Sequence, residues 1–202
     1  MTSNTTMSKF RAHIEKSEVA QMPNIQFEGR IITIDTLADA ETAIYALSKE
    51  SVIGIDTETR PSFKKGVHYN VSLLQISTSD TCFLFRLNRI GLSAPIVGLL
   101  ENNNIKKVGL SLHDDFQALS KRKKFKPGDF FDLQKYVTRF GIEELSLQKM
   151  YAIIFGKRIS KSQQLTNWDA DVLTDKQKLY AATDAWACLT IYHHLKNLEN
   201  ND

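Results

Sequence analysis

The sequence predicts an α/β fold, a mixed β-sheet flanked by α-helices. Short β-branched and apolar runs dominate the first half, with helical spacings between them. Long helical patterns dominate the second half. Two apolar runs joined at Thr78-Ser79-Asp80 read as a hairpin, so part of the sheet is antiparallel.

The elements follow in chain order. Residues 1–22 form a polar N-terminal arm; Met7–Ala20 carries mixed charges and is either a helix ended by Pro23 or a frayed terminus. The domain runs over residues 23–199, with a short tail at 200–202. Arg30–Asp35 is β-branched and reads as a strand. Thr36–Glu50 places Leu37, Ala40, Ala43, Ile44 and Leu47 on one helical face. Ser51–Thr57 is a second strand, and Arg60–Tyr69 a loop holding Pro61, Lys64, Lys65 and Gly66. Asn70–Ser77 and Thr81–Arg86 are the hairpin strands. Pro95–Glu101 is helical, Lys106–Leu112 a strand, Asp114–Lys121 the start of a helix and Phe130–Asp132 a last short strand. Leu133–Phe140, Leu145–Phe155 and Thr174–Leu198 are helical.

A chain of 202 residues is sized for one domain with a well-buried core. Hydrophobic residues at 42% and charged residues at 24% make an ordinary globular mix, which excludes a disordered or fibrous protein. The net charge of +3 and pI of about 8.8 permit a nucleic-acid partner without demanding one. Two cysteines, Cys82 and Cys188, exclude a disulfide framework and a CxxC zinc site, and both lie in apolar, core-like segments. No apolar stretch approaches the ~18–20 residues that span a bilayer, and the first 26 residues lack an apolar signal-like core. The expectation is a soluble cytoplasmic protein without a membrane partner.

The acids carry the chemistry. In Ile53-Gly54-Ile55-Asp56-Thr57-Glu58-Thr59, two carboxylates sit two residues apart at the end of an apolar strand. Alternate strand residues share a face, so Asp56 and Glu58 project together. They are either a solvated strand end or a repelling pair that a hard divalent cation neutralises. In Leu179-Tyr180-Ala181-Ala182-Thr183-Asp184-Ala185, Tyr180 and Asp184 stack on one helical face among small residues that allow close packing. They either satisfy each other or serve a site. In Gly109-Leu110-Ser111-Leu112-His113-Asp114-Asp115, acids stand where a strand meets a helix. One can cap the helix, leaving the other to face Asp56. Taken together, four acids without basic partners are costly unless cations neutralise them. Two-metal phosphoryl transfer, with ions about 3.5–4 Å apart, is the economical chemistry.

These motifs, in this order, resemble the exonuclease superfamily named for its Asp-Glu-Asp-Asp acids, in its tyrosine subclass. Within it the chain is similar to the Werner-syndrome-type 3′–5′ exonuclease domain, with ribonuclease D a near relative. The resemblance rests on Asp56-Thr57-Glu58 followed by Arg60-Pro61 and a Lys-Lys-Gly loop. It continues with Lys107-Val108-Gly109 through Asp115-Phe116-Gln117-Ala118-Leu119. It closes with Asn167-Trp168, Leu173-Thr174 and Gln177-Lys178-Leu179-Tyr180-Ala181-Ala182-Thr183-Asp184-Ala185, and it covers about Ile25 to Leu195. It implies a ribonuclease H-like fold and metal-dependent hydrolysis of the terminal phosphodiester at a 3′ end, releasing nucleoside monophosphates. DNA is favoured, with RNA as the other substrate. The implied cofactors are two Mg²⁺ or Mn²⁺ ions. By resemblance Asp56 bridges both, Glu58 and Asp184 complete the site of the nucleophilic water, and Asp115 rather than Asp114 holds the second ion. Tyr180 orients the water, since a phenol with an ordinary pKa of about 10 is a poor base at neutral pH.

Substrate contacts are expected from Arg60, with Lys64 and Lys65, just after the first acidic motif. Lys161 belongs to Lys157–Gln164, which the resemblance places at the site's mouth. Trp168 either stacks on a base or is a buried structural indole. Lys121-Arg122-Lys123-Lys124-Phe125-Lys126 is either a solvated helix end or a phosphate-attracting patch. His113, His193 and His194 lack metal-ligand spacing, and Ser111 is not in a G-x-S-x-G elbow. The rival readings are a catalytically inactive nucleic-acid-binding module on an exonuclease fold, which the complete acid set opposes, and an interaction domain without a nucleic-acid role.

Overall fold

The structure, a computed structural model, describes residues 9–201. The elements run α1 (Lys16–Gln21), β1 (Asn24–Ile25), β2 (Arg30–Ile34), α2 (Leu37–Leu47), β3 (Val52–Glu58), β4 (Leu73–Ser77), β5 (Thr81–Arg86), α3 (Leu87–Ile90) and α4 (Ala94–Glu101). Then come β6 (Lys106–Gly109), α5 (Leu112–Arg122), β7 (Phe130–Asp132), α6 (Leu133–Tyr136), a 3₁₀ turn (Val137–Phe140), α7 (Leu147–Phe155), β8 (Arg158–Ile159) and α8 (Asp175–Asn200). Six strands form one sheet in the order β2-β5-β4-β3-β6-β7. The β4 strand is antiparallel to both β3 and β5, and the other pairings are parallel. This is the mixed, helix-flanked sheet that the residue pattern predicts. No helix among the described residues is long and apolar enough to cross a membrane.

Strand alternation divides the core between two faces. Ile53, Ile55, Leu74, Ile76, Phe83 and Phe85 pack with α2, α4 and α5. Leu73, Cys82 and Leu84 face the other way, with Trp168, Ala181 and Ala182. The long α8 crosses that second face over β3, β4, β5 and β6. Its start is set by a capping box. The Thr174 hydroxyl accepts from Gln177 N–H at 3.2 Å, and the Gln177 side chain accepts from Thr174 N–H at 3.0 Å.

Gly54 explains how closely α8 lies on β3. A Cβ there would sit 2.1 Å from the Ala185 carbonyl oxygen, a backbone atom that cannot rotate away. The fully buried Ala181, Ala182 and Ala185 keep the helix side of this contact equally thin. Gly54→Ala should destabilise the fold by about 1–3 kcal/mol, the usual cost of overpacking. It should also move the segment carrying Asp184. Chemical denaturation measures the first effect, and an unchanged midpoint would contradict the account.

Three features differ from the sequence reading. The strand beginning at Lys106 stops at Gly109, and the following helix starts at Leu112, before Asp114. Ser111 between them adopts a left-handed conformation (φ 54°), which fits no strand. The hairpin's first strand begins at Leu73 rather than Asn70. The parallel pair β1–β8 forms a small second sheet from two-residue strands too short to register as a pattern. In the arm, residues 1–8 lie outside the described residues. Lys16–Gln21 is helical, Ile14 and Val19 are buried against Ala152 of α7, and Ile14 N–H donates to Glu144 at 3.1 Å.

Candidate active site

The acids of β3 and α8 meet where these two elements touch. Asp56 and Glu58 alternate with Ile55 and Thr57, so both point toward α8, and Asp184 follows one turn after Tyr180. Ligand oxygens of Asp56, Glu58 and Asp184 all lie within 4.8 Å of one another. Thr183 anchors this turn of α8, accepting from Phe27 N–H at 3.0 Å and donating to the Leu179 carbonyl at 2.6 Å. The three acids line a cleft of about 310 Å³ together with Tyr180, Lys161, Gln148 and Gln164.

Asp115 arrives from the opposite side of β3. It sits in the first turn of α5, and its carboxylate accepts from the hydroxyl of Thr57, the residue between Asp56 and Glu58. It therefore stands beside the three-acid cluster rather than inside it. Asp114 is exposed and does not line the cleft. Asp132, at the end of β7, builds this corner. Its carboxylate accepts from Ser111 N–H at 3.3 Å, Leu112 N–H at 3.1 Å and Gln134 N–H at 2.9 Å, tying the start of α5 to the sheet. The sequence reading found neither Thr57 nor Asp132, because their partners lie 58 and about 20 residues away.

The electrostatics follow from burial and like charge. Burial pushes the Asp56 carboxyl well above its ordinary range, and Asp115, Asp184 and Glu58 add repulsion. Glu58, only 9% exposed, is pushed up to about 9 by burial and then by Asp184 and Asp115. Asp184 is raised to about 7 by burial, opposed by a hydrogen bond from Tyr180 and by the Lys161 charge. Asp115 is raised to about 6 by burial, opposed by the Thr57 hydrogen bond. Tyr180 is pushed well above the usual phenol range by burial and the surrounding carboxylates, so its hydroxyl stays a donor.

This donor set fits a hard divalent cation. Carboxylate oxygens are its preferred ligands, and crowded buried carboxylates are what its charge relieves. Asp56, Glu58 and Asp184 would hold it. A stability consequence has a definite sign. The native acids bind protons more tightly than their unfolded counterparts near pH 4, so between pH ~4 and ~9 the native state holds more protons and stability falls as pH rises. The melting temperature of the metal-free protein should therefore drop across that window. Added Mg²⁺ should restore it more at pH 8.5 than at pH 5.5. Thermal melts with and without chelator at the two pH values would test this, and equal restoration at both would contradict it.

The expected substrate residues separate. Lys161 is exposed at the cleft, just after β8, where Gln148 fixes the strand by donating to the Ile159 carbonyl. Arg60 lies in the exposed loop after β3, its guanidinium 4.9 Å from the Tyr69 ring, and it does not line the cleft. Trp168 is fully buried among Phe27, Leu73, Leu84 and Leu173, so it offers no face on which a base could stack. Its ring centroid lies 6.1 Å from that of Tyr180, which it backs from the core side. The loop after it is clasped by Arg86, which donates to the Ala170 carbonyl, and by Arg89, which donates to that of Asp171. The basic run after Ser120 begins at the end of α5, about 9 Å along the helix from Asp115. Its Arg122 is engaged with the Val71 carbonyl at 2.6 Å.

Residues 31–199 match the family model described as 3′–5′ exonuclease. The chain belongs to the 3′–5′ exonuclease family. Among its relatives is the bifunctional 3′–5′ exonuclease/ATP-dependent helicase WRN of Mus musculus, 31% identical over 98% of this chain but only 15% of that protein. A 3′–5′ exonuclease of Arabidopsis thaliana is 27% identical over 98% of this chain and 74% of its own length. The solved exonuclease domain of Aedes aegypti Nibbler superposes with a TM-score of 0.75 at 23% identity, covering 86% of this chain and 91% of that domain. The family fold is thus the ribonuclease H-like sheet with flanking helices described above.

Proposed function

We propose that this exonuclease-family chain hydrolyses the terminal phosphodiester at the 3′ end of a nucleic-acid strand, releasing nucleoside monophosphates, with two divalent cations, Mg²⁺ or Mn²⁺. The observation that carries the reading is the convergence of Asp56, Glu58 and Asp184 from two distant segments to within 4.8 Å, at the floor of an open cleft. Cations bound there supply a water of lowered pKa and offset the charge that develops on the departing oxygen.

The chain's own groups do the rest. Asp56, Glu58 and Asp184 would hold the two cations, with Asp115 contributing from the α5 side. Tyr180 gives its one hydroxyl proton to Asp184, so its oxygen orients the attacking water by accepting a hydrogen bond from it, without removing its proton. Lys161, beside Asp184 and open to solvent, is placed to neutralise the scissile phosphate. Trp168 holds Tyr180 in place from behind.

The test is a panel of 5′-labelled substrates: single-stranded DNA, recessed duplex DNA and RNA, each with Mg²⁺, Mn²⁺ or chelator. Products should shorten progressively from the 3′ end in metal and not at all in chelator. Release of the 5′ label as a mononucleotide at the outset, or no turnover with either metal on any substrate, would defeat the proposal.

A further inference from the structure

We infer that the groove between the N-terminal arm and the start of α7 is a rail for the phosphodiester backbone of the strand whose 3′ end enters the acidic cleft. The inference rests on the exonuclease reading above and names where the rest of the substrate lies.

The groove is large, about 710 Å³, and it opens into the cleft: Ser146, Gln148 and Lys161 line both. A strand leaving the cleft on this side must enter it. Four cationic side chains line the groove, Lys16, Lys149, Arg158 and Lys161, against two acids, Glu143 and Glu144. Both acids are already engaged. His13 lies 3.1 Å from Glu143, and Lys149 lies 2.8 Å from Glu144, which also accepts from Ile14 N–H. Lys149 is thereby spent, whereas Lys16, Arg158 and Lys161 make no ion pair among the described residues. Arg158 donates only its Nε, to the Met22 carbonyl at 3.1 Å.

Three unpaired cations along one groove suit a polyanion. The acidic cleft makes the need sharper, because its carboxylates repel any phosphate not covered by the metal ions. A cationic path leading out of it, with Lys161 at the junction, offsets that repulsion for the phosphates upstream. Contacts of this kind hold backbone in a salt-dependent, sequence-independent way. The arm matters here because α1 supplies Lys16, and burial of Ile14 and Val19 fixes α1 against α7.

The test compares two substrates in the full chain: a dinucleotide, which fills only the cleft, and a single strand of about 15 nucleotides, beyond most single-site sizes. Lys16→Gln, a change at an exposed side chain, and the double variant Lys16→Gln/Arg158→Gln are measured over a KCl series. We expect KM for the long strand to rise several-fold with kcat unchanged. The salt slope of binding should fall by about 1 per cation removed. Dinucleotide kinetics should match the unsubstituted protein. Unchanged KM and salt slope for the long strand in both variants would overturn the rail, as would a parallel loss on the dinucleotide. Failure of the unsubstituted protein on both substrates would instead defeat the exonuclease reading.

Discussion

Asp56→Asn should reduce kcat/KM on a single strand by about 10³-fold or more, the scale expected when one member of a group acting as a unit is removed. The same substitution should raise the melting temperature of the metal-free protein. Both outcomes come from one geometry. Three carboxylates share a space less than 4.8 Å across, and two unit charges that close repel by about 3–4 kcal/mol where the effective dielectric is ~20. Without metal, protonation relieves this repulsion: burial and like charge raise Asp56, Glu58 and Asp115, and burial raises Asp184 against the Tyr180 hydrogen bond and the Lys161 charge. Asparagine keeps the shape of the side chain and removes one charge, so the metal-free fold gains what the metal site loses. The variant should also show a shallower fall of melting temperature between pH 5 and 9 and a smaller response to Mg²⁺. Kinetics on a 5′-labelled strand, paired with melts in chelator, separate the two effects. Retained activity would remove Asp56 from the chemistry, and a lower metal-free melting temperature would show that like-charge repulsion does not dominate the site.

Tyr180→Phe should lower kcat by about 10²-fold, as expected for loss of one well-placed hydrogen-bond donor, with KM and metal response close to unchanged. The ring remains, so packing against Trp168 is preserved. Only the hydroxyl and its bond to Asp184 are lost. Because its surroundings push the phenol well above 10, it does not titrate in the working range. The pH–rate profile of the variant should therefore keep the shape of the original at a lower level. If the unsubstituted protein showed an alkaline limb near pH 10 that the variant lacked, Tyr180 would be acting as an acid or base rather than as an orienting hydroxyl.

Much of the site is legible in local sequence because its spacing rules are local. Asp56 and Glu58 share a face since strands alternate, and Tyr180 and Asp184 stack since helices repeat every 3.6 residues. The alanines around Asp184 predict close packing, and Gly54 is the matching gap on the strand, with Ala185 O where a Cβ would be. Asp115 was legible only through resemblance. Its place depends on a left-handed Ser111 and on hydrogen bonds from Ser111 and Leu112 to Asp132, about 20 residues later. Trp168 shows the opposite limit. An aromatic residue in a polar stretch before α8 reads equally as platform or core, and only the packing of Phe27, Leu73 and Leu84 around it decides for core.

The sequence by itself determined the types of the longer elements, the mixed sheet and the residue pairs carried on single elements, since these depend on periodicities of two and 3.6 residues within one segment. The tertiary structure alone decided which pairs meet. The crossing of α8 over β3, the anchoring of the α5 start by Asp132 and the seating of the arm on α7 each join residues far apart in the chain. Such contacts are set by the shapes of two surfaces together, which neither surface's own sequence records.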